Sequence, residues 1–218
     1  MQRSRGCAYF IIDTNTEYVL SGWADDENIG VIGARLRSVA TNLDKKSRTT
    51  VAVGIDAPRK ARERPREYFR NRTTNSWRKR KPHERGYGRH CEVVIKALGL
   101  GNPQWTPLVN EAPEWMLLGF EVFRVFQEFV CVCEVFPTAS YRMLENDTEI
   151  KAHLSFAHFS RGPKDMLDAC TAAVTIREFV QGRGTEVGGG DGMGTIILPK
   201  PISDDAISQV LNWPINKR

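Results

Sequence analysis

Hydrophobic and polar residues follow two different patterns along this chain, one typical of helices and one typical of strands. Apolar positions three and four residues apart predict helices in the segments 29–43, 92–98, 114–129 and 164–180. Apolar runs that stop at turn residues or prolines predict strands at 8–12, 18–24, 49–55, 130–136 and 195–198. Asn28 is the predicted N-cap of the first helix.

These elements follow one another as a hairpin, a helix, a strand, two helices, a strand, a helix and a short final strand. This order predicts an α/β fold with a mixed sheet, in which the two most apolar strands (49–55 and 130–136) are central. Seven glycines within 182–194 predict a flexible loop. A phosphate-binding loop is not expected there, because the segment lacks the Gly-Lys-Ser/Thr ending of such loops. We expect one domain over residues 1–200 and a C-terminal tail at 201–218.

The composition excludes several classes of protein. A hydrophobic content of 41% is too high for a disordered chain. No apolar run approaches the roughly 20 residues of a membrane-spanning helix, and the N-terminus lacks the features of a secretory signal. The five cysteines form no CxxC pair, which favours reduced thiols over a structural zinc site. We therefore expect a cytoplasmic protein that has no membrane partner.

The positive charge is concentrated in one segment. The formal net charge is +5, but residues 59–90 alone hold thirteen Lys and Arg against three Glu, so the remainder is mildly acidic. Four aromatic residues are interleaved with this basic insert (Tyr68, Phe69, Trp77 and Tyr87). Cations mixed with aromatic rings suit nucleic acid, including single strands whose bases can stack.

The predicted contacts of the basic insert with DNA or RNA are Arg78, Lys79, Arg80, Lys81, Arg85 and Arg89. Two alternatives remain open for the insert. It could be a solvated loop that has no ligand, or it could bind the acidic body of its own chain.

Three acidic residues occur where the surrounding sequence is apolar. Asp56 directly follows the strand 49–55, Glu134 lies within the strand 130–136, and Asp168 lies on a helix of small and apolar residues. A carboxylate in such a place costs several kcal/mol unless it is paired or bound to metal. Sites in α/β sheets form at the carboxyl ends of strands, so we expect the three to converge on Mg²⁺ or Mn²⁺. Such ions promote in-line displacement at phosphorus.

Each acid also has a structural alternative. These alternatives are a turn cap for Asp56, an ion pair with Arg89 or Arg142 for Glu134, and a hydrogen bond to a helix N-terminus for Asp168. The occurrence of three such acids together favours the site over three unrelated structural roles.

Five short motifs, in this order and spacing, carry a resemblance to a known family. They are Val53-Gly54-Ile55-Asp56-Ala57-Pro58, Arg89-His90-Cys91-Glu92, Glu134-Val135-Phe136-Pro137-Thr138-Ala139-Ser140, Leu167-Asp168-Ala169-Cys170-Thr171-Ala172-Ala173 and Gly194-Thr195-Ile196-Ile197-Leu198-Pro199. Together they cover roughly residues 50–200 and resemble the domain of unknown function 429 family. That family is regarded as predicted nucleases with an RNase H-like fold.

The resemblance implies a three-stranded meander, a helix, a parallel strand, a helical region, a second parallel strand and a helix that carries the last acid. It implies that Asp56 and Asp168 belong to the metal site, with Glu134 close by as a third catalytic residue and Glu92 as a possible further metal ligand. It also implies that Arg89 is an ion-pair partner or a phosphate contact.

The N-terminus departs from the pattern of this fold, in which the first strand carries a leading catalytic Asp. Asp13 is the only candidate for that residue and is a possible third metal ligand. Alternatively, residues 8–13 form the second strand of the meander, and the first strand is lacking. The expected function is a divalent-metal-dependent nuclease that hydrolyses DNA or RNA. The alternative is a non-catalytic nucleic-acid-binding module on a degenerate RNase H-like scaffold.

Overall fold

A computed structural model of the protein describes residues 5–15, 17–47, 51–129, 131–150, 162–202, 205 and 212–214. The strands are β1 Arg5–Ile12, β2 Tyr18–Asp26, β3 Ala52–Ile55, β4 Tyr68–Asn71, β5 Ser76–Lys79, β6 Cys131–Glu134, β7 Thr185–Gly188 and β8 Thr195–Leu198. The helices are α1 Ile29–Ser47, α2 His90–Ala97, α3 Glu114–Phe126, α4 Pro137–Leu144 and α5 Pro163–Val180. The predicted mixed α/β class is confirmed. No helix within the described ranges is long and apolar enough to span a membrane.

The N-terminal part is a hairpin followed by a helix, as predicted. β1 and β2 are antiparallel, and the Asn28 side chain accepts a hydrogen bond from the Gly30 N–H at 2.8 Å, which caps the start of α1. The buried residues of α1 recur every four positions (Ile32, Leu36 and Ala40), so one face of the helix enters the core. That face packs beside α3.

The centre of the molecule is the parallel pair β3–β6, in which Ile55 lies opposite Glu134. A single parallel bridge between Val135 and Ile197 connects this pair to β8, which is antiparallel to β7. Successive side chains of a strand point to opposite faces. Ile55 joins the core formed with α1 and α3, whereas a Cβ at Gly54 would lie 3.1 Å from the Ala172 carbonyl oxygen of α5. Helices therefore cover both faces of this pair.

The two strand pairs at the core are separate sheets. β1–β2 and β3–β6 share no ladder of hydrogen bonds, yet β1 and β3 both pack against α5. The implied three-stranded meander is not formed within the described residues, because the segment 5–26 supplies two strands. The helix α5 is therefore a main link between the two pairs.

Three elements were missed by the sequence pattern. The basic insert contains a second hairpin, β4–β5, in which Tyr68 lies opposite Lys79 and Phe69 opposite Arg78. The helix α4 was not predicted, and β7 occupies part of the glycine-rich segment that was expected to be a flexible loop. In the C-terminal tail, Trp213 packs on the β4–β5 hairpin.

Candidate functional site

Asp56 occupies the turn that follows β3, at the carboxyl end of the central strand pair. The residue is exposed, and its carboxylate has no hydrogen-bond partner among the described residues. The surrounding protein nevertheless displaces much of the water near the carboxylate, and this desolvation, together with the negative charge of Asp168, raises its pKa to about 7. Asp56 can therefore gain or lose a proton near neutral pH.

Asp168 reaches the same region from α5. Its carboxylate accepts hydrogen bonds from the Tyr141 hydroxyl at 3.0 Å and from Lys164 Nζ at 2.5 Å. The lysine side chain is 83% exposed, whereas that of Asp168 is 13% exposed, so the lysine lies at the surface and the Asp168 carboxylate is largely covered. The bond to Asp168 raises the pKa of Lys164. The negative charge of Asp168 therefore acts on Asp56, whereas the shared metal site expected for the two residues stays a prediction.

Asp165 is a further carboxylate near Asp56, and the sequence analysis did not predict it. Asp165, in the first turn of α5, adds to the negative charge that raises the pKa of Asp56. The sequence contained a signal for it, because residues three apart on a helix share a face and Asp165 precedes Asp168 by three positions. Tyr141 was missed as well, and its role depends on α4, which the pattern did not predict.

Glu134 is held in a buried ion pair. Both Glu134 oxygens accept hydrogen bonds from the two Nη atoms of Arg89, one of them at 2.6 Å, and one also accepts the Arg59 N–H at 3.0 Å. Burial raises the pKa of Glu134, and the Arg89 guanidinium opposes that rise. This is the ion-pair alternative for Glu134, and the pairing leaves the carboxylate committed to Arg89 instead of to a metal.

Glu92 has no free oxygen either. It accepts hydrogen bonds from Arg89 Nε at 2.8 Å, from the Arg89 N–H at 3.1 Å, and from both the N–H and the hydroxyl of Thr106. Arg89 therefore links the start of α2 to the end of β6. Glu92 and Glu134 stabilise the frame beneath the site, and their assignment as metal ligand and catalytic residue, respectively, is not supported by these contacts.

Asp13 lies away from the acidic region. Its Oδ1 accepts the N–H groups of Asn15 and Glu17, at 2.8 and 2.9 Å, in the turn between β1 and β2. Near the other end of β1, burial raises the pKa of the Cys7 thiol, and the Asp56 carboxylate is close enough to add to that rise. Six residues of strand separate Cys7 from Asp13, a distance of about 20 Å. Asp13 cannot share an ion with Asp56, and its prediction as a metal ligand is wrong.

The carboxylates at the site are the type of ligand that a hard cation prefers, but there are too few of them. Asp56 and Asp168 offer carboxylate oxygens, the ligands that Mg²⁺ and Mn²⁺ prefer. Within the part of the chain that the structure describes, however, no group of three or more His, Cys, Asp or Glu side chains is arranged to hold a metal. Asp168, Glu134 and Asp165 all lie close enough to Asp56 to raise its pKa, but Glu134 is paired with Arg89. We call Asp56, Asp168 and Asp165 the acidic cluster.

Three arginines of the basic insert are buried and serve the fold. Arg89 forms the pairs described above, and Arg62 forms an ion pair with Asp191 at 2.8 Å. Arg66 is stacked over the Phe69 ring, with its guanidinium carbon 3.8 Å from the ring centroid, and burial lowers its pKa to about 10. These three arginines therefore fit the alternative in which the insert binds its own chain.

The remaining cations form the exposed surface of the insert. Eight are exposed: Arg59, Lys60, Arg64, Arg72, Lys79, Arg80, Lys81 and Arg85. Of the predicted nucleic-acid contacts, Lys79, Arg80, Lys81 and Arg85 are among them. Arg78 is partly exposed and is paired with Glu84, whereas Arg89 is 1% exposed and cannot reach a ligand in this conformation. The prediction for Arg89 as a nucleic-acid contact is corrected accordingly.

Comparisons with protein-family models, with curated proteins and with solved structures give no match for this chain.

Proposed function

We propose that the protein is a nucleic-acid phosphodiesterase that depends on a divalent cation, with Asp56 and Asp168 as its catalytic carboxylates. The convergence of these two residues at the carboxyl end of β3 carries the proposal. The chain continues from Asp56 directly into the exposed cations of the basic insert, beginning at Arg59 and Lys60. An acidic cluster that can bind a cation, beside a cationic surface, is an arrangement that suits a polyanionic substrate.

The element order supports an RNase H-like scaffold for this site. A hairpin, a helix, two parallel strands and a helix that carries Asp168 occur in the implied order. Cys7, near the start of β1, lies close enough to Asp56 for the carboxylate to contribute to its raised thiol pKa, so β1 borders the end of β3.

The side chains at and around Asp56 define what this chain contributes to hydrolysis. With a pKa near 7, the Asp56 carboxylate can accept a proton from an attacking water at neutral pH. Lys164 can contact a phosphate oxygen from its exposed position, and Tyr141 orients Asp168. A divalent cation, when bound, would stabilise charge on the phosphoryl oxygens, but two carboxylates are fewer protein ligands than such a site usually has.

This shortfall of ligands favours a second candidate, a nucleic-acid-binding module that does not cleave. No described group of three ligands holds a metal, whereas the exposed cations remain suited to a polyanion. Such a module would bind with an affinity that falls steeply as salt rises, and it would leave the strand intact with any divalent ion.

End-labelled DNA and RNA, single-stranded and duplex, should be incubated with the protein in Mg²⁺, Mn²⁺ or EDTA. We expect cleavage in the two metals alone, and its loss in Asp56→Asn and Asp168→Asn. Asp147→Asn is the matched control, because Asp147 pairs with Lys200 and is not part of the acidic cluster. Retention of parental cleavage by Asp56→Asn refutes the enzyme, and binding without cleavage by the parent protein identifies the binding module.

A further inference from the structure

A cluster of aromatic rings joins the basic insert to the C-terminal tail. Trp213 lies with its ring centroid 5.0 Å from that of Trp77, 5.1 Å from that of His90 and 5.6 Å from that of Tyr68. We call the recess formed by Tyr68, Trp77, His90 and Gly190 the tail pocket. A Cβ at Gly190 would collide with the Cβ of Trp213, so the glycine leaves the space that the ring enters.

The hairpin face that lines the tail pocket combines aromatic and cationic residues. Cross-strand pairs place Tyr68 beside Lys79 and Arg70 beside Trp77, and the alternation of strands puts these four on one face. Phe69 and Arg78 belong to the opposite face, where Phe69 stacks with Arg66. Lys79 is exposed and Arg70 is half-buried, so positive charge borders the pocket.

The residue that occupies this pocket is Trp213. It lies in the described piece 212–214, which forms neither helix nor strand, and it is half-buried although its ring touches three others. An indole ring has nearly the size and flatness of a purine. A base stacked on Trp77 would therefore fit where Trp213 lies, with its flanking phosphates toward Lys79 and Arg70.

We propose that the tail pocket is a base-stacking subsite for single-stranded nucleic acid and that Trp213 covers it as a competing internal ligand. The proposal rests on the nucleic-acid binding put forward above, and it names the strand form that is bound. The tail and a base exclude one another, so the observed affinity is the intrinsic affinity reduced by the fraction of molecules in which the pocket is open. Duplex DNA, whose bases remain stacked in the helix, does not use this subsite.

The experiment measures binding of a fluorescein-labelled single-stranded 15-mer by anisotropy, with the full chain in EDTA so that cleavage does not interfere. We expect Trp213→Ala to bind about tenfold more tightly than the parent, as for a pocket that is covered in about nine molecules of ten. Trp115→Ala is the control, because Trp115 is exposed on α3 outside the aromatic cluster, and it should bind as the parent does. In the Trp213→Ala background, Trp77→Ala should remove the gain. A duplex of the same length should show no gain.

A second measurement does not depend on the folding of Trp213→Ala. The five tryptophans of the parent are labelled with 5-fluorotryptophan, and the Trp213 resonance is assigned by its loss in Trp213→Phe. Addition of the 15-mer should move that resonance toward its solvent-exposed position. Binding of the 15-mer with no movement of the resonance, or with no gain in Trp213→Ala, overturns the subsite. These results need no catalysis, so they are distinguishable from a failure of metal-dependent cleavage, which would leave the subsite standing.

Discussion

Replacement of Asp56 by Asn should stabilise the protein at alkaline pH, contrary to the usual effect of a substitution next to the core. The Asp56 pKa is about 7 in the folded protein against an ordinary value of 3.8. The folded state therefore holds a proton that the unfolded state has already released, and the stability of the parent falls as pH rises from 3.8 to 7. Asn carries no charge, so the variant lacks this loss.

The magnitude follows from the size of the shift and from the position of the side chain. A shift of about three pKa units corresponds to at most about 4 kcal/mol. Because Asp56 is exposed, water reduces both the desolvation of its carboxylate and its repulsion from Asp168, and we expect ~1–2 kcal/mol. Asp56→Asn should exceed the parent by this amount at pH 8 and match it at pH 4.

Urea denaturation followed by circular dichroism, without divalent ions, measures the difference. Asp147→Asn supplies a control of opposite sign, because the bond to Lys200 lowers the Asp147 pKa to about 2 and its loss should destabilise the protein at pH 8. If Asp56→Asn is less stable than the parent at pH 8, or if its advantage is the same at pH 4, the pKa of Asp56 is not raised by desolvation and by the charge of Asp168, and the environment described for Asp56 is wrong.

Three further perturbations test the frame and the basic surface. Arg89→Met should cost about 3–5 kcal/mol in urea denaturation, because it leaves the buried carboxylates of Glu134 and Glu92 without a cation; a loss below 1 kcal/mol would contradict the buried ion pairs. Gly54→Ala should cost about 1–3 kcal/mol in the same assay, since the new methyl would lie 3.0 Å from Val135 and 3.1 Å from the Ala172 carbonyl; equal stability would show that α5 is not so close to β3. A further variant replaces four exposed cations by Gln: Lys79, Arg80, Lys81 and Arg85. It should reduce the slope of log affinity against log salt for single strands by about 3 without lowering the thermal midpoint. An unchanged slope would show that this surface does not contact the nucleic acid.

The hydrophobic pattern predicted the elements whose cores are strongly periodic or strongly apolar. α1, α3 and α5 begin within a residue of their predicted starts, and β3 and β6 pair in parallel as the central strands. The hairpin β4–β5 escaped prediction because its four-residue strands mix aromatic rings with cations and polar residues, without a repeated apolar position. Such strands are stabilised by stacking of cations on rings, as of Arg66 on Phe69, and a scale of hydrophobicity does not register that contact.

The acidic residues show where reasoning from the sequence reaches its limit. A carboxylate in an apolar strand needs a counter-charge, and the sequence indicated that need correctly for Glu134. It could not decide between a metal ion and a guanidinium, because Arg89 lies 45 positions away and its approach depends on the tertiary fold. Asp56 was more predictable, since a turn directly after a central strand places a side chain at the sheet's edge in most α/β folds.

The contact between β1 and α5 joins segments separated by roughly 150 residues of chain. At a synthesis rate of about 5–20 residues per second, the N-terminal hairpin waits on the order of ten to thirty seconds before its helical cover exists. During that interval β1 presents an unpaired edge and half-apolar faces to its surroundings. The nascent hairpin is therefore exposed to association with other chains during synthesis, until α5 is available to cover it.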